Sequence, residues 1–269
     1  MKDYSKYIEM QKGIYNNKNI PSEDIVGYYD WNEAFPYETF LLYENGDVRK
    51  PLFKETNDKV ALDFACGPGR MVRRMSKCFK KVDGVDISNR LIEEAREKSP
   101  SNDFYVSNGD DLGSVPKNNY DFVYSTIAMQ HIAVRTIRMN ILKNIHEVLK
   151  EDGIINIQMA FSKDFPYNCT PFHNEENGIR VSVKTLDNTH ATWMEDRINA
   201  ASTNSGCDVG IGPADVPLVI KDFETYFRDV KVWFYDYSLF GVEPEDVFDR
   251  ALNWNGYWAT HFIFISGRK

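Results

Sequence analysis

Cysteine is scarce in this 269-residue chain: there are four, at positions 66, 78, 169 and 207, and no two form a C-x-x-C pair. Such spacing supports neither a disulfide framework nor a zinc site, and it suits a reducing compartment. Long apolar runs are missing too. No stretch approaches the about 18 consecutive apolar residues of a membrane helix, and the opening MKDYSKYIEM has no apolar h-region or cleavage site. A soluble, cytoplasmic protein is the expectation. Positive charge is in deficit, with 32 Lys and Arg against 40 Asp and Glu for a net charge of -8. Duplex nucleic acid and anionic membrane surfaces are met largely through basic side chains, so neither is expected as a partner.

What is present is ample apolar material. The hydrophobic share is 42% and the aromatic share 14%, enough for a packed core, and the length suits one domain with an elaborated edge. From Val60 to about Ala160, apolar runs alternate with helical patterns. VALDFA (60–65), VDGVDI (82–87), DFYVS (103–107), YDFVYSTI (120–127) and IINIQMAF (154–161) read as strands. Between them, Met71, Val72, Met75, Cys78 and Phe79 recur at helical spacing. Ser88 can cap a helix carrying Leu91, Ile92 and Ala95. Ile137, Ile141, Ile145, Val148 and Leu149 form one long stripe, which Gly153 is expected to end.

Strands alternating with helices imply a mostly parallel sheet covered on both faces. The segment 162–215 breaks the pattern, being rich in Asn, Thr, Pro, His and Gly, and reads as a substrate-binding insert. Regular structure returns with a helix around Val219, Phe223 and Phe227, a strand over 231–237, a helix over 247–252 and a last strand over 259–266. Residues 1–55, with YYDW and FPYETFLLY, read as an aromatic N-terminal cap or lid on a domain over 56–269.

The stretch DFACGPGR poses the functional question. Ligands of open α/β sheets bind at the carboxyl ends of the strands, and glycines there allow close backbone approach. Gly67 and Gly69 are present, but Val72 stands where a dinucleotide fingerprint wants its third glycine, and no Gly-Lys-Ser/Thr follows. A phosphate is therefore poorly served. Asp86 ends the second strand 17 residues past Gly69, where an acid accepts ribose hydroxyls. Asp63 sits inside an apolar strand, where a carboxylate needs a partner such as a ligand ammonium. Adenosine joined to an amino acid is S-adenosylmethionine.

DFACGPGR followed by VDGVDIS resembles the first two motifs of class I S-adenosylmethionine-dependent methyltransferases, particularly their small bacterial members. NGDDL followed by YDFVYSTIAMQHI is similar to the third and fourth, and EVLKEDGIINIQ to the approach to their fifth strand. The resemblance covers roughly residues 55–161. It implies a Rossmann-like α/β fold: a seven-stranded, mostly parallel sheet with helices on both faces and an antiparallel last strand. Gly67 and Gly69 would face the methionine and ribose, with Asp63 serving the ammonium and Phe64 and Ala65 lining the turn; Arg70, directly after it, either joins the site or is solvated. Asp86 would take the ribose diol and Ile87 would pack on adenine. An acid often stands where Asn108 aligns, or Asp110 takes that place if the alignment slips by two; Gly109 would offer its amide to the ring. Ser125, Thr126 and Gln130 would face the methyl-transfer region.

Methyl transfer from a sulfonium is an in-line displacement that asks mainly for alignment and exclusion of water. A plain alcohol acceptor also needs a base, for which His131, His173 and His190 are candidates; an amine need only be neutral. The chain has STIAMQ where enzymes acting on nucleobase amines resemble one another in (Asp/Asn/Ser)-Pro-Pro-aromatic. The expected acceptor is a small molecule methylated on oxygen or nitrogen, with a sugar or surface-glycan precursor among the classes open. No metal is expected, and the assembly would be a monomer or homodimer. Two other readings are a catalytically silent S-adenosylmethionine-binding protein and an NAD-dependent oxidoreductase on a related sheet.

Overall fold

The apolar runs become strands in the computed structural model, which describes residues 4–19, 21–22, 35–161, 191–192, 209–236 and 261–269. Strands β1 (Val60–Phe64), β2 (Lys81–Asp86), β3 (Phe104–Val106), β4 (Tyr120–Ser125) and β5 (Leu149–Phe161) pair in parallel. With β8 (Arg228–Asp236) and β9 (His261–Arg268) they form a seven-stranded sheet in the order β3-β2-β1-β4-β5-β9-β8. Strand β9 pairs antiparallel with both β5 and β8. This is the Rossmann-like methyltransferase sheet that the motifs imply. The strand order reverses between β1 and β4, which opens a crevice at their carboxyl ends.

Helices cover both faces. One face is packed by α3 (Arg70–Met75), α4 (Asn89–Lys98) and, from the N-terminal segment, α2 (Tyr37–Leu42). Phe40 of α2 stacks on Phe264 of β9, with ring centroids 5.3 Å apart. The other face is packed by α5 (Arg135–Val148) and α6 (Val216–Glu224), with Ile137, Ile141, Ile145 and Phe223 buried against Leu62, Val123 and Ile155. The first helix, α1 (Ser5–Tyr15), joins that core through Tyr7. The cap at Ser88 is as expected: its Oγ accepts from the Leu91 N–H at 3.2 Å.

Two local expectations are corrected. Gly153 does not end the long helix; α5 stops at Val148, and β5 already begins at Leu149. The register between β4 and β5 slips from Tyr120–Leu149 to Phe122–Ile154, and Asp152 takes a left-handed φ of 61° in the slipped segment. A bulge therefore does what a helix terminator was expected to do. Phe227 lies past the end of α6 and still packs in the core. Within the expected insert, β6 (Ala191–Thr192) and β7 (Val209–Gly210) pair in parallel, and Phe161 bridges to Ile211. The helix expected over 247–252 lies outside the described residues. No helix among the described residues is long and apolar enough to cross a membrane.

Candidate functional site

The turn after β1 reverses direction through three left-handed residues: Ala65 (φ 60°), Gly67 (φ 53°) and Gly69 (φ 77°). Glycine enters that conformation without the Cβ clash other residues meet, and alanine is among the smaller exceptions. Asp86 fixes the turn to the end of β2. Its Oδ2 accepts from the Gly67 N–H at 2.9 Å and its Oδ1 from the Ser88 N–H at 2.8 Å. Asp86 is buried, which pushes its carboxyl pKa up, while the amides of Ser88, Gly67 and Ile87 pull it down. Ile87 is half-buried beside it.

Asp63 is 2% exposed, and its Oδ2 has no hydrogen-bond partner among the described residues. Burial drives its carboxyl well above the usual range; the Arg70 guanidinium opposes that rise and the Asp86 carboxylate adds to it. Arg70 is also buried, with its guanidinium carbon 5.2 Å from the centre of the Tyr37 ring. It is therefore not simply solvated. Phe64 points into the core on the other face of β1.

At the end of β3, Asp111 organises the loop. Its Oδ1 accepts from the Asn108 and Gly113 amides at 3.0 and 2.8 Å, and its Oδ2 from Asn108 Nδ2 at 2.7 Å. The Gly109 amide donates to Ser107 Oγ at 2.9 Å. Asn108 is thus exposed and turned toward Asp111, whereas the half-buried Asp110 has no hydrogen bond among the described residues. Asp111 was not among the sequence candidates, although the D-x-G spacing to Gly113 is a turn signal. Gly109 (φ 117°) has no room for a side chain: a Cβ would sit 2.5 Å from Ile8 Cγ2 of α1 and 3.3 Å from Ile87 Cδ1.

Helix α1 closes this end of the crevice. Ser88 Oγ donates to the Tyr15 carbonyl at 2.9 Å, while the Tyr7 hydroxyl accepts from the Ala133 N–H at 2.7 Å and donates to the His131 carbonyl at 3.1 Å. The helix therefore spans from the end of β2 to the segment after β4. At that end of β4, Ser125 is buried with no partner for its Oγ among the described residues, and Thr126 is half-buried. Gln130 is buried and His131 half-buried in a 3-10 turn over Met129–His131. His173 and His190 lie outside the described residues. Among the described residues, no group of three or more His, Cys, Asp or Glu side chains is placed to hold a metal ion.

The crevice thus runs along the ends of β3, β2, β1 and β4 and presents two buried carboxylates, Asp63 and Asp86, with the Arg70 guanidinium beside Asp63. A phosphate finds little there, whereas a ligand with an ammonium and a ribose diol finds Asp63 and Asp86. The unpartnered Asp63 oxygen and the left-handed glycines fit S-adenosylmethionine by their chemistry.

Residues 61–153 match the family model described as a methyltransferase domain. An uncharacterized methyltransferase of Bacillus cereus is 24% identical over 155 residues, which are 58% of this chain and 71% of that protein. The trans-aconitate 2-methyltransferase of Paracidovorax citrulli is 24% identical over 148 residues, 53% of this chain and 55% of that protein. Among solved structures, the phosphoethanolamine N-methyltransferase 2 of Haemonchus contortus, in complex with phosphomonomethylethanolamine and S-adenosylhomocysteine, superposes with a TM-score of 0.58 at 14% identity. That match covers 96% of this chain and 60% of that one. An S-adenosylmethionine-dependent methyltransferase of Mesorhizobium loti superposes with a TM-score of 0.54 at 13% identity, over 81% of this chain and 94% of that one. Motif order, sheet topology and these matches agree: residues 61–153 carry a methyltransferase domain, and all three support the resemblance to class I S-adenosylmethionine-dependent methyltransferases.

Proposed function

We propose that the chain transfers the methyl group of S-adenosylmethionine to an oxygen or nitrogen of a small-molecule acceptor, with a sugar or surface-glycan precursor as the finer reading. The observation that carries the cofactor assignment is Asp63, a buried carboxylate with one oxygen unpartnered among the described residues, beside a glycine turn tied to a second buried carboxylate. When bound, the cofactor supplies a methyl group on a positively charged sulfur.

In this reading Asp63 holds the ammonium, Phe64, Ala65, Gly67 and Gly69 shape the turn, and Arg70 balances the charge of Asp63. Asp86 accepts from the ribose, Ile87 and Gly109 border the adenine, and Asp110 or Asn108 reaches its edge. Ser125, Thr126 and Gln130 face the reacting side. His131 is the base if the acceptor is an alcohol, with His173 or His190 as alternatives. Residues 1–55 act as a cap on a domain over 56–269, whose 162–215 insert shapes the acceptor pocket. A small acceptor is supported by the chain's acidic balance and by the small organic acid in the name of the Paracidovorax relative.

The test is calorimetric titration with S-adenosylmethionine and S-adenosylhomocysteine, with NAD in parallel, on wild type and Asp86→Ala. Binding of both adenosyl ligands, lost in Asp86→Ala, and no heat with NAD is the expected result. Binding without methylation of any alcohol, amine or carboxylate acceptor would point to a silent binding protein. Heat with NAD alone would replace the reading by the oxidoreductase one.

A further inference from the structure

We infer that Gln158 is a specificity-determining residue whose side-chain nitrogen donates a hydrogen bond to an oxygen of the methyl acceptor. The inference rests on the methyl-transfer reading above. Gln158 lies on β5, is fully buried, and its Oε1 accepts from the Ile127 N–H at 2.6 Å. An N–H can donate only to an acceptor, so this bond fixes which end of the amide is oxygen. The Nε2 that remains is a pure donor, and it has no partner among the described residues. A buried donor left unmatched is costly, so a group that can accept is expected there in the working complex.

The register says which group. Ser125 pairs with Ile157, so Gln158 sits beside Thr126, one strand beyond β4 and two beyond β1. At a strand spacing of about 4.8 Å, it lies on the far side of β4 from the residues that cradle the cofactor. What approaches the methyl group from that side is the acceptor. The backbone agrees: Ile127 is β-branched yet held at a left-handed φ of 54°, a strained state that the bond to Gln158 helps to fix. One amide therefore shapes the loop after β4 and presents a donor beside it. A donor at that point selects a hydroxyl, carbonyl or carboxylate oxygen and rejects an ammonium.

The test uses the full-length protein saturated with S-adenosylhomocysteine. The Gln158 side-chain amide pair is assigned in nitrogen–proton spectra by its loss in Gln158→Met and in Gln158→Glu, so either variant suffices if the other fails to fold. Sodium acetate, a minimal carboxylate, is then titrated against sodium chloride at equal ionic strength. A saturable shift of that pair with acetate alone is the expected result. Gln158→Glu keeps an oxygen for the Ile127 N–H but lacks the donor; its acetate affinity, followed at the Thr126 amide, should fall about tenfold or more. A pair that stays still, or moves equally with chloride, would mean that ordered water alone satisfies Nε2, and the inference would be overturned. Undiminished acetate binding by Gln158→Glu would overturn it as well. Failure to bind S-adenosylhomocysteine strikes the methyl-transfer reading itself; normal binding with a silent amide strikes only the role of Gln158.

Discussion

The backbone N–H of Gly67 donates to Asp86 Oδ2 at 2.9 Å, so the turn after β1 and the end of β2 are held by one carboxylate. Removing it in Asp86→Ala leaves the Gly67 and Ser88 amides without their acceptor, at about 1–3 kcal/mol for each unsatisfied buried group. Thermal unfolding should show that loss in the unliganded protein. Calorimetry should show a still larger loss in cofactor binding, because the turn and the ribose partner disappear together. A variant that binds S-adenosylhomocysteine like wild type would remove Asp86 from the site.

Asp63 carries a pH signature. Its folded pKa is raised by burial above the ordinary carboxylate value, so between those two values the native state holds more protons than the unfolded chain. Stability from this group is therefore lost as pH rises through that window. Asp63→Asn removes the loss. Its unfolding temperature relative to wild type should rise from acid toward neutral pH in the unliganded protein, while its affinity for S-adenosylmethionine should fall. Equal pH profiles for the two proteins would contradict the assignment.

Tyr7 is the pin between α1 and the segment after β4. Tyr7→Phe deprives the buried Ala133 N–H of its acceptor and removes the hydroxyl that donates to the His131 carbonyl. A destabilisation of about 1–3 kcal/mol is expected. Amide hydrogen exchange at Ala133 should accelerate, and S-adenosylhomocysteine should dissociate faster as α1 loosens over Gly109. Unchanged exchange at Ala133 would mean that the helix is held by its apolar contacts alone.

Gly84 is needed for space rather than for its φ. A Cβ there would lie 2.7 Å from Cys66 Sγ and 2.8 Å from Phe104 Cδ1. Gly84→Ala should cost about 1–3 kcal/mol by overpacking and shift the turn that Cys66 belongs to. Denaturant unfolding gives the first quantity. The second is a weaker S-adenosylhomocysteine affinity in a protein that still folds.

The sheet was legible because its strands are continuous apolar runs bounded by polar turns, and Ser88 was legible because a cap is a local device. The reversal at Leu149–Gly153 was not, since the choice between a long helix and an early, bulged strand is settled by pairing with Tyr120 and Phe122, far away in sequence. Asp63 stood out as an acid inside an apolar strand and Asp86 as an acid ending one. Gln158 did not, although Asn156 and Gln158 break the apolar run IINIQMAF at alternate positions and so share one face of β5. Their meaning depends on which neighbour each meets: Asn156 donates to the Phe40 and Leu41 carbonyls, and Gln158 accepts from Ile127. Where the N-terminal segment meets the site was equally hidden, because that shows only when Ile8 is seen against Gly109.

Strand β9 lies between β5 and β8, and among the described residues β8 meets the rest of the sheet only through it. During synthesis β8 therefore leaves the ribosome before the strand it pairs with. The emerging chain holds an unpaired edge at β5 until residues 261–268 arrive, so the sheet closes last one strand in from its rim.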